Sequence, residues 1–193
     1  MLSPLQPRHS APAGTELGAA PWQIFKFCPR CGVARASVSQ DAAPFRCEAC
    51  GFLYFFNPAV AVAALILRDD GKALFIRRAK DPAKGRLALV GGFVDAGESA
   101  EQALRREVRE EVQLELDQLQ FLTSHPNDYH YEDTTYPVVD FIFVARTPDH
   151  DRALALDGVA SLAWLDPHAV DLEELAFPSM REALTRYRGA SRT

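Results

Sequence analysis

The period of the apolar positions changes several times along this chain, and each change predicts an element. Ala59–Leu67 is an unbroken apolar run and reads as a buried strand. Asp69-Asp70-Gly71 follows as a hairpin turn and Ala73–Arg78 as the return strand. Leu89-Val90 reads as the end of a further buried strand, and it opens onto Gly91-Gly92, where backbone can approach a ligand closely. The period then becomes helical. Leu104, Val108 and Val112 recur at i,i+4 and form a core-facing stripe. Ser99 and Gln102 make a capping box that starts this helix near residue 100, with Ala100 and Ala103 expected on the carboxylate side, that of Glu107, Glu110 and Glu111, leaving room there. Beyond it, strands are expected over Glu115–Thr123, Pro137–Arg146 and Val159–Leu165. Between the first two of these, the polar and aromatic run Ser124–Thr135 reads as a loop. Pro167–Leu175 and Pro178–Arg188 read as short helices with proline near their starts. The order of elements predicts an α+β fold, a mixed sheet with helices on its faces.

The predicted helix carries an unusual polar face. At about 100° per residue, Glu110 lies roughly 60° to one side of Glu107 and Glu111 roughly 40° to the other. Three carboxylates therefore project from one narrow strip. Like charges at these spacings repel by roughly 0.2–0.5 kcal/mol per pair, and the C-terminal half of a helix disfavours anions. A hard divalent cation such as Mg²⁺, or Mn²⁺ in its place, would relieve both problems, since it takes oxygen ligands and keeps phosphate and water in its shell. Upstream, the segment Arg77–Arg86 holds Arg77, Arg78, Lys80, Lys84 and Arg86 against a single Asp81. Arg77, Lys84 and Arg86 are taken as candidate contacts for a polyphosphate. Tyr129 and Tyr131, in the expected loop, are candidates for the nucleoside end, because tyrosine can stack on a base and hydrogen-bond through its hydroxyl. Glu132, Asp133 and Asp140 are candidates for a further base or ligand.

The N-terminal quarter is organised differently. Residues 1–22, rich in Pro, Ala, Gly and Ser, read as a flexible tail. Residues 23–56 contain all four cysteines, as Cys28-x2-Cys31, fifteen residues, then Cys47-x2-Cys50, each pair followed by glycine. Two such knuckles supply four thiolates, enough for a closed tetrahedral Zn²⁺ site, and the spacing predicts a zinc ribbon. So short a segment builds little core, so that metal binding would supply its folding energy. Asn57-Pro58 marks the boundary to the remainder, 57–193.

The stretch from Gly92 resembles the signature of the Nudix hydrolases, G-x5-E-x7-R-E-U-x-E-E-x-G-U with U aliphatic. Here it runs Gly92, Glu98, Arg106, Glu107, Val108, Glu110, Glu111 and Leu114, with Gln113 standing where the pattern has glycine. The resemblance implies an α/β/α sandwich over 57–193 and Mg²⁺-dependent hydrolysis of a diphosphate bond. It implies Glu107, Glu110 and Glu111 as metal ligands, the backbone carbonyl near Gly92 as a further one, and Arg106 with Glu98 as the groups that orient the carboxylates. A ribbon preceding such a domain resembles the NADH pyrophosphatase branch, as do Gly92-Phe93-Val94 and Ser124-His125-Pro126. The continuation Asn127-Asp128-Tyr129-His130 departs from that branch's W-P-F-P. The substrate class expected is a nucleoside diphosphate derivative, with NADH and ADP-ribose among the candidates. Two other classes keep the same residues: a ligand sensor on this fold, and a nucleic-acid-binding ribbon protein without hydrolase activity.

Composition narrows the partners. A net charge of −5 argues against broad binding to nucleic acid or anionic membranes. The longest apolar run is too short to span a bilayer, and the first residues lack the apolar core of a signal peptide. The expectation is a cytoplasmic enzyme acting on a small nucleotide, with a homodimer left open.

Overall fold

The computed structural model describes residues 18–37 and 40–190. The first elements are small. Helix α1 (Pro21–Ile24) precedes the first cysteine pair, and strands β1 (Phe45–Arg46) and β2 (Leu53–Tyr54) pair antiparallel around the second. Cys28, Phe45 and Cys47 form a small buried cluster, with Phe25, Cys50, Phe52 and Phe56 packed on it. These residues, through Asn57, group with Tyr129–Tyr136 into one compact unit; residues 58–128 and 137 onward form the other. The grouping has a local cause. Ala19 pairs parallel with Thr134: its N–H donates to Asp133 O (3.1 Å) and its carbonyl accepts from Thr135 N–H (3.2 Å).

The larger unit is built on β3 (Ala59–Leu67), whose residues Val62–Leu67 are all buried. A strand covered on both faces needs apolar residues at every position, which is why the run does not alternate. Antiparallel to β3 lie β4 (Ala73–Arg78) and β6 (Val90–Phe93), while β5 (Leu87–Ala88) pairs with β4. Helix α2 (Ala100–Val112) packs on β6 and β3 through Leu104, Val108 and Val112. Strands β7 (Asp117–Tyr131) and β8 (Thr134–Arg146) follow; β8 runs parallel to β3, and β9 (Val159–Leu165) antiparallel to β4. The sheet is mixed, with order β5-β4-β3-β8-β7 and with β6 and β9 pairing beside that path. Helix α3 (Pro178–Ala190) joins the same core through Met180, Ala183 and Leu184. Among the described residues no helix is long and apolar enough to cross a membrane.

Three expectations are corrected. Ser124–Thr135 is not a loop: β7 continues to Tyr131 and β8 begins at Thr134, leaving only Glu132-Asp133 as the turn. The tip is held by the pairing to Ala19 described above. Pro167–Leu175 does not form an α-helix but a single 3-10 turn at Leu172–Glu174, capped by Asp171, whose carboxylate accepts from Glu173 N–H. Ala103 lies wholly in the core rather than on the carboxylate side.

The helix start agrees with the capping box: Ser99 Oγ accepts from Gln102 N–H (3.2 Å) and Gln102 Oε1 from Ser99 N–H (2.8 Å). Its end is made by Gln113, which adopts the left-handed conformation (φ 58°, ψ 31°) and donates its N–H to Arg109 O. A glycine there would adopt this conformation without a Cβ penalty. Gln113→Gly is therefore expected to stabilise the protein by about 1 kcal/mol, read as a raised midpoint in urea with an unchanged slope.

Candidate active site

The carboxylates of α2 face the glycine pair of β6. Gly91 has φ +152°, and a Cβ there would lie 2.0 Å from Val62 O of the neighbouring strand. Its N–H donates to Glu111 Oε2 at 3.1 Å. A Cβ on Gly92 would lie 2.5 Å from the Glu107 carboxylate. Gly92 thus leaves room for the Glu107 carboxylate, while Gly91 is required by the close approach of β3 and offers its N–H to Glu111. Gly92→Ala should displace Glu107 with little change in global stability, since a carboxylate end yields where backbone would not. Catalytic rate is expected to fall by at least about tenfold, because small displacements of catalytic groups are costly; a variant with wild-type kcat would contradict this packing.

Arg106 is the hub of the site. Its Nε and Nη2 each lie 2.8 Å from the two oxygens of Glu98, and Nη1 donates to Glu107 Oε1 (2.8 Å) and Glu110 Oε2 (3.2 Å). Nη2 also donates to Phe93 O at 3.0 Å, tying the helix to the end of β6. A planar guanidinium is the one side chain that can serve so many acceptors with fixed geometry. The Arg106 bonds hold the Glu98 carboxyl below its usual range and raise the guanidinium's own proton affinity. Glu98 also accepts from Asp95 N–H (3.1 Å), which closes the loop between β6 and α2.

The three helix glutamates differ in exposure. Glu107 is 17% exposed and Glu110 is 57% exposed. Burial raises the Glu107 pKa, and it pushes Glu111 further, up to about 7. Glu111 holds one hydrogen bond, from Gly91, against that desolvation, and the charge of Glu107 opposes its ionisation. Carboxylate oxygens beside backbone carbonyls are the donor type a hard divalent cation takes, and the three side chains share one helix face without their oxygens drawing together as the cysteine sulfurs below do.

The remaining predicted residues are placed as follows. Arg77 donates to Gly85 O (2.9 Å) and pairs with Glu174 (3.1 Å), and Arg86 bonds Glu173 O and Leu175 O. Both guanidiniums are taken by the C-terminal segment and are not gathered with the carboxylates. Lys84 is exposed, and its backbone N–H donates to Asp81. Tyr129 and Tyr131 lie at the end of β7, in the hairpin tip that groups with the cysteine unit. Glu132 and Asp133 are the turn of that hairpin. Asp140, on β8, is buried, accepts from Asn127 Nδ2 (3.0 Å), and has its pKa raised by desolvation. Two further charged groups act on Glu111: Arg78, named in the basic segment but not among its candidate contacts, eases its ionisation, and Asp157, which the sequence did not mark, opposes it. The signal for Asp157 was its place before Gly158 in a turn after β8, too common a pattern to stand out.

In the other unit, the four cysteine Sγ atoms all lie within 4.8 Å of one another, and among the described residues this is the one such cluster of His, Cys, Asp or Glu ligand atoms. Cys28 and Cys50 are 3.7 Å apart and Cys31 and Cys47 3.6 Å. No disulfide joins them. The edge of a tetrahedron with Zn–S of about 2.3 Å is about 3.8 Å, close to the two pair distances given above. The two knuckles repeat one backbone pattern: Gly32 N–H donates to Cys28 O (2.8 Å) and Gly51 N–H to Cys47 O (2.9 Å).

Comparison with known proteins follows this geometry. A family model described as a NUDIX domain matches residues 57–187. Over 99 residues the chain is 33% identical to the NAD-capped RNA hydrolase NudC of Pseudomonas fluorescens, covering 51% of this chain and 35% of that protein. Over 60 residues it is 48% identical to the ADP-ribose pyrophosphatase of Methanocaldococcus jannaschii, covering 31% and 35%. The matched segments therefore span about a third of the length of these relatives. The crystal structure of a NUDIX hydrolase from Nitrosomonas europaea superposes with a TM-score of 0.63 at 23% identity, over 84% of this chain and 89% of that one, a likeness of fold.

Proposed function

Because the chain belongs to the Nudix family, we propose that it is a Mg²⁺-dependent pyrophosphohydrolase that cleaves the diphosphate bond of a nucleoside diphosphate derivative, ADP-ribose or NADH being the first candidates. The observation that carries this reading is the arrangement of the helix carboxylates: Glu107 against Gly92, Glu111 on Gly91 N–H, and Glu110 held beside Glu107 by Arg106. The relatives named above are called hydrolases of NAD-capped RNA and of ADP-ribose, which supports an adenosine diphosphate moiety in the substrate.

In this reading Glu107, Glu110, Glu111 and the Gly92 carbonyl would hold Mg²⁺ or Mn²⁺, and the ion would supply a Lewis acid for the diphosphate. The chain's own residues do the rest. Arg106 holds Glu107, which lies against Gly92, together with Glu110 and, through Glu98, fixes the loop ahead of the helix. Gly91 N–H fixes one oxygen of Glu111 and leaves the other to bind or to accept a proton. We assign residues 23–56 as a zinc ribbon holding a structural Zn²⁺ on Cys28, Cys31, Cys47 and Cys50, a closed site with no position for substrate. Residues 57–193 are assigned as the hydrolase domain.

The test is a hydrolysis panel of ADP-ribose, NADH, NAD⁺, FAD, dinucleoside polyphosphates and nucleotide sugars, with Mg²⁺ and with Mn²⁺. Release of nucleoside monophosphate from at least one member, lost on metal removal, is expected. Binding without cleavage across the panel would replace the hydrolase by a ligand sensor.

A further inference from the structure

The loop between β8 and β9 is stitched to the end of the carboxylate helix. Leu154 N–H donates to Val112 O (3.1 Å) and Leu156 N–H to Glu111 O (2.9 Å), so the loop satisfies carbonyls that the helix end leaves open. Gly158 O accepts from Ala79 N–H at 2.8 Å, which joins the same loop to the basic segment after β4. A Cβ on Gly158 would stand 3.6 Å from Glu111 Oε1, so the loop backbone borders that carboxylate. Asp157 is one residue earlier in the same loop. Its Oδ1 lies 2.7 Å from Lys80 Nζ, with both side chains largely in solvent (81% and 67% exposed).

The neighbouring cations are held differently. Arg78 donates to Pro82 O (2.6 Å) and lies over the Phe177 ring, while Arg77 and Arg86 are bound by residues 173–175. Lys80 is held by one exposed carboxylate at the border of the site. Such a pair adds little to stability, so it can be exchanged for a stronger anion at small cost. A diphosphate carries more charge than one carboxylate and accepts hydrogen bonds from an ammonium equally well.

We propose that Lys80 is a substrate-contacting cation, parked on Asp157 beside the Glu111 end of the carboxylate row and transferred to the substrate's diphosphate on binding. Asp157 is the positioning residue that keeps the flexible lysine at the site while it is empty of substrate, and it competes with the anion for the ammonium. The inference rests on the hydrolase reading above and specifies which cation of the basic segment serves it.

The experiment is titration calorimetry of inorganic pyrophosphate into the full chain with Mg²⁺ present, beside steady-state kinetics on ADP-ribose. Loss of a charge-assisted hydrogen bond predicts that Lys80→Ala weakens pyrophosphate binding by about tenfold or more. It should raise KM far more than it lowers kcat, and Lys80→Arg should restore most of the affinity. Asp157→Asn frees Lys80 and removes a competing negative charge, so pyrophosphate should bind several-fold more tightly, by roughly the margin of a broken exposed pair. That gain should shrink when Lys80 is already alanine. Wild-type affinity in Lys80→Ala, with an active wild-type enzyme, overturns the inference and leaves the proposed function standing. Equal weakening by Asp157→Asn and Lys80→Ala also overturns it, because the pair would then only brace the loop. A wild-type chain that hydrolyses nothing in the panel removes the proposed function and this inference together.

Discussion

Glu111→Gln is expected to cut turnover by more than about 100-fold, the upper range for losing a group that merely supports a metal ligand, and yet to stabilise the Mg²⁺-free protein. The two effects have one cause. Glu111 is held among groups that disfavour its charge, with its pKa pushed up to about 7 by burial and by Glu107. Glutamine keeps the shape and keeps an oxygen to accept from Gly91 N–H, now 3.1 Å from Oε2. It removes the charge that only a cation would repay. The folded-state pKa is raised above the ordinary glutamate value of 4.5, so the folded chain binds the extra proton. The wild type's contribution from this group is then fully present below about 4.5 and is lost as pH rises through about 7. The advantage of glutamine should be near zero at acidic pH and reach on the order of 3 kcal/mol by pH 8. Thermal denaturation at a series of pH values in Mg²⁺-free buffer reads it directly. Near-normal turnover of Glu111→Gln at saturating Mg²⁺ would sink the metal role, and a lower melting temperature at pH 8 would sink the burial argument.

Much of this site could be read from residue spacing because a helix converts sequence interval into direction. Glu107, Glu110 and Glu111 needed only their intervals to be set on one face, and Ser99 and Gln102 only theirs to start the helix. The run Val62–Leu67 likewise announced a strand covered on both faces. The β7–β8 hairpin escaped because its period is carried by the wrong residues. From Thr123 to His130, burial alternates strictly, with His125, Asn127 and Tyr129 on the more covered side. The period of two is present, but polar side chains bear it, so a search for apolar alternation sees a loop. The partner that extends it, Ala19 pairing with Thr134, lies more than a hundred residues away and leaves no local trace. The same holds for Arg77 and Arg86. Their charge was legible, whereas the acceptors that take them, Glu174 and the carbonyls of Glu173 and Leu175, depended on the fold. The close fit of Gly92 to Glu107 is also a tertiary fact: the sequence marks a glycine, and only the packing of α2 on β6 says which side chain needs its space.

The second large effect is expected at the cysteine quartet. Elemental analysis of the purified chain should find one Zn²⁺ per molecule, and Cys47→Ser should lose it and unfold the N-terminal unit. The reason is the size of the core there. Cys28, Phe45 and Cys47 are its buried residues, with Phe25, Cys50, Phe52 and Phe56 partly covered around them. Phe25 meets Phe45, Tyr54 and Phe56 with ring centroids 5.1–5.2 Å apart, contacts worth about 0.5–1.5 kcal/mol each beyond burial. So small a core is marginal without a staple, and a structural Zn²⁺ would contribute on the order of 10 kcal/mol. A Zn²⁺ held there would contribute more than any one of these ring contacts, and a serine in place of the buried Cys47 removes one of the four thiolates. Limited proteolysis should then cut within residues 18–57 of the variant while wild type resists, with 58–128 still protected in both. A chain purified without Zn²⁺ that resists protease over residues 18–57 would refute the structural role, and so would a Cys47→Ser protein that keeps one equivalent of the metal.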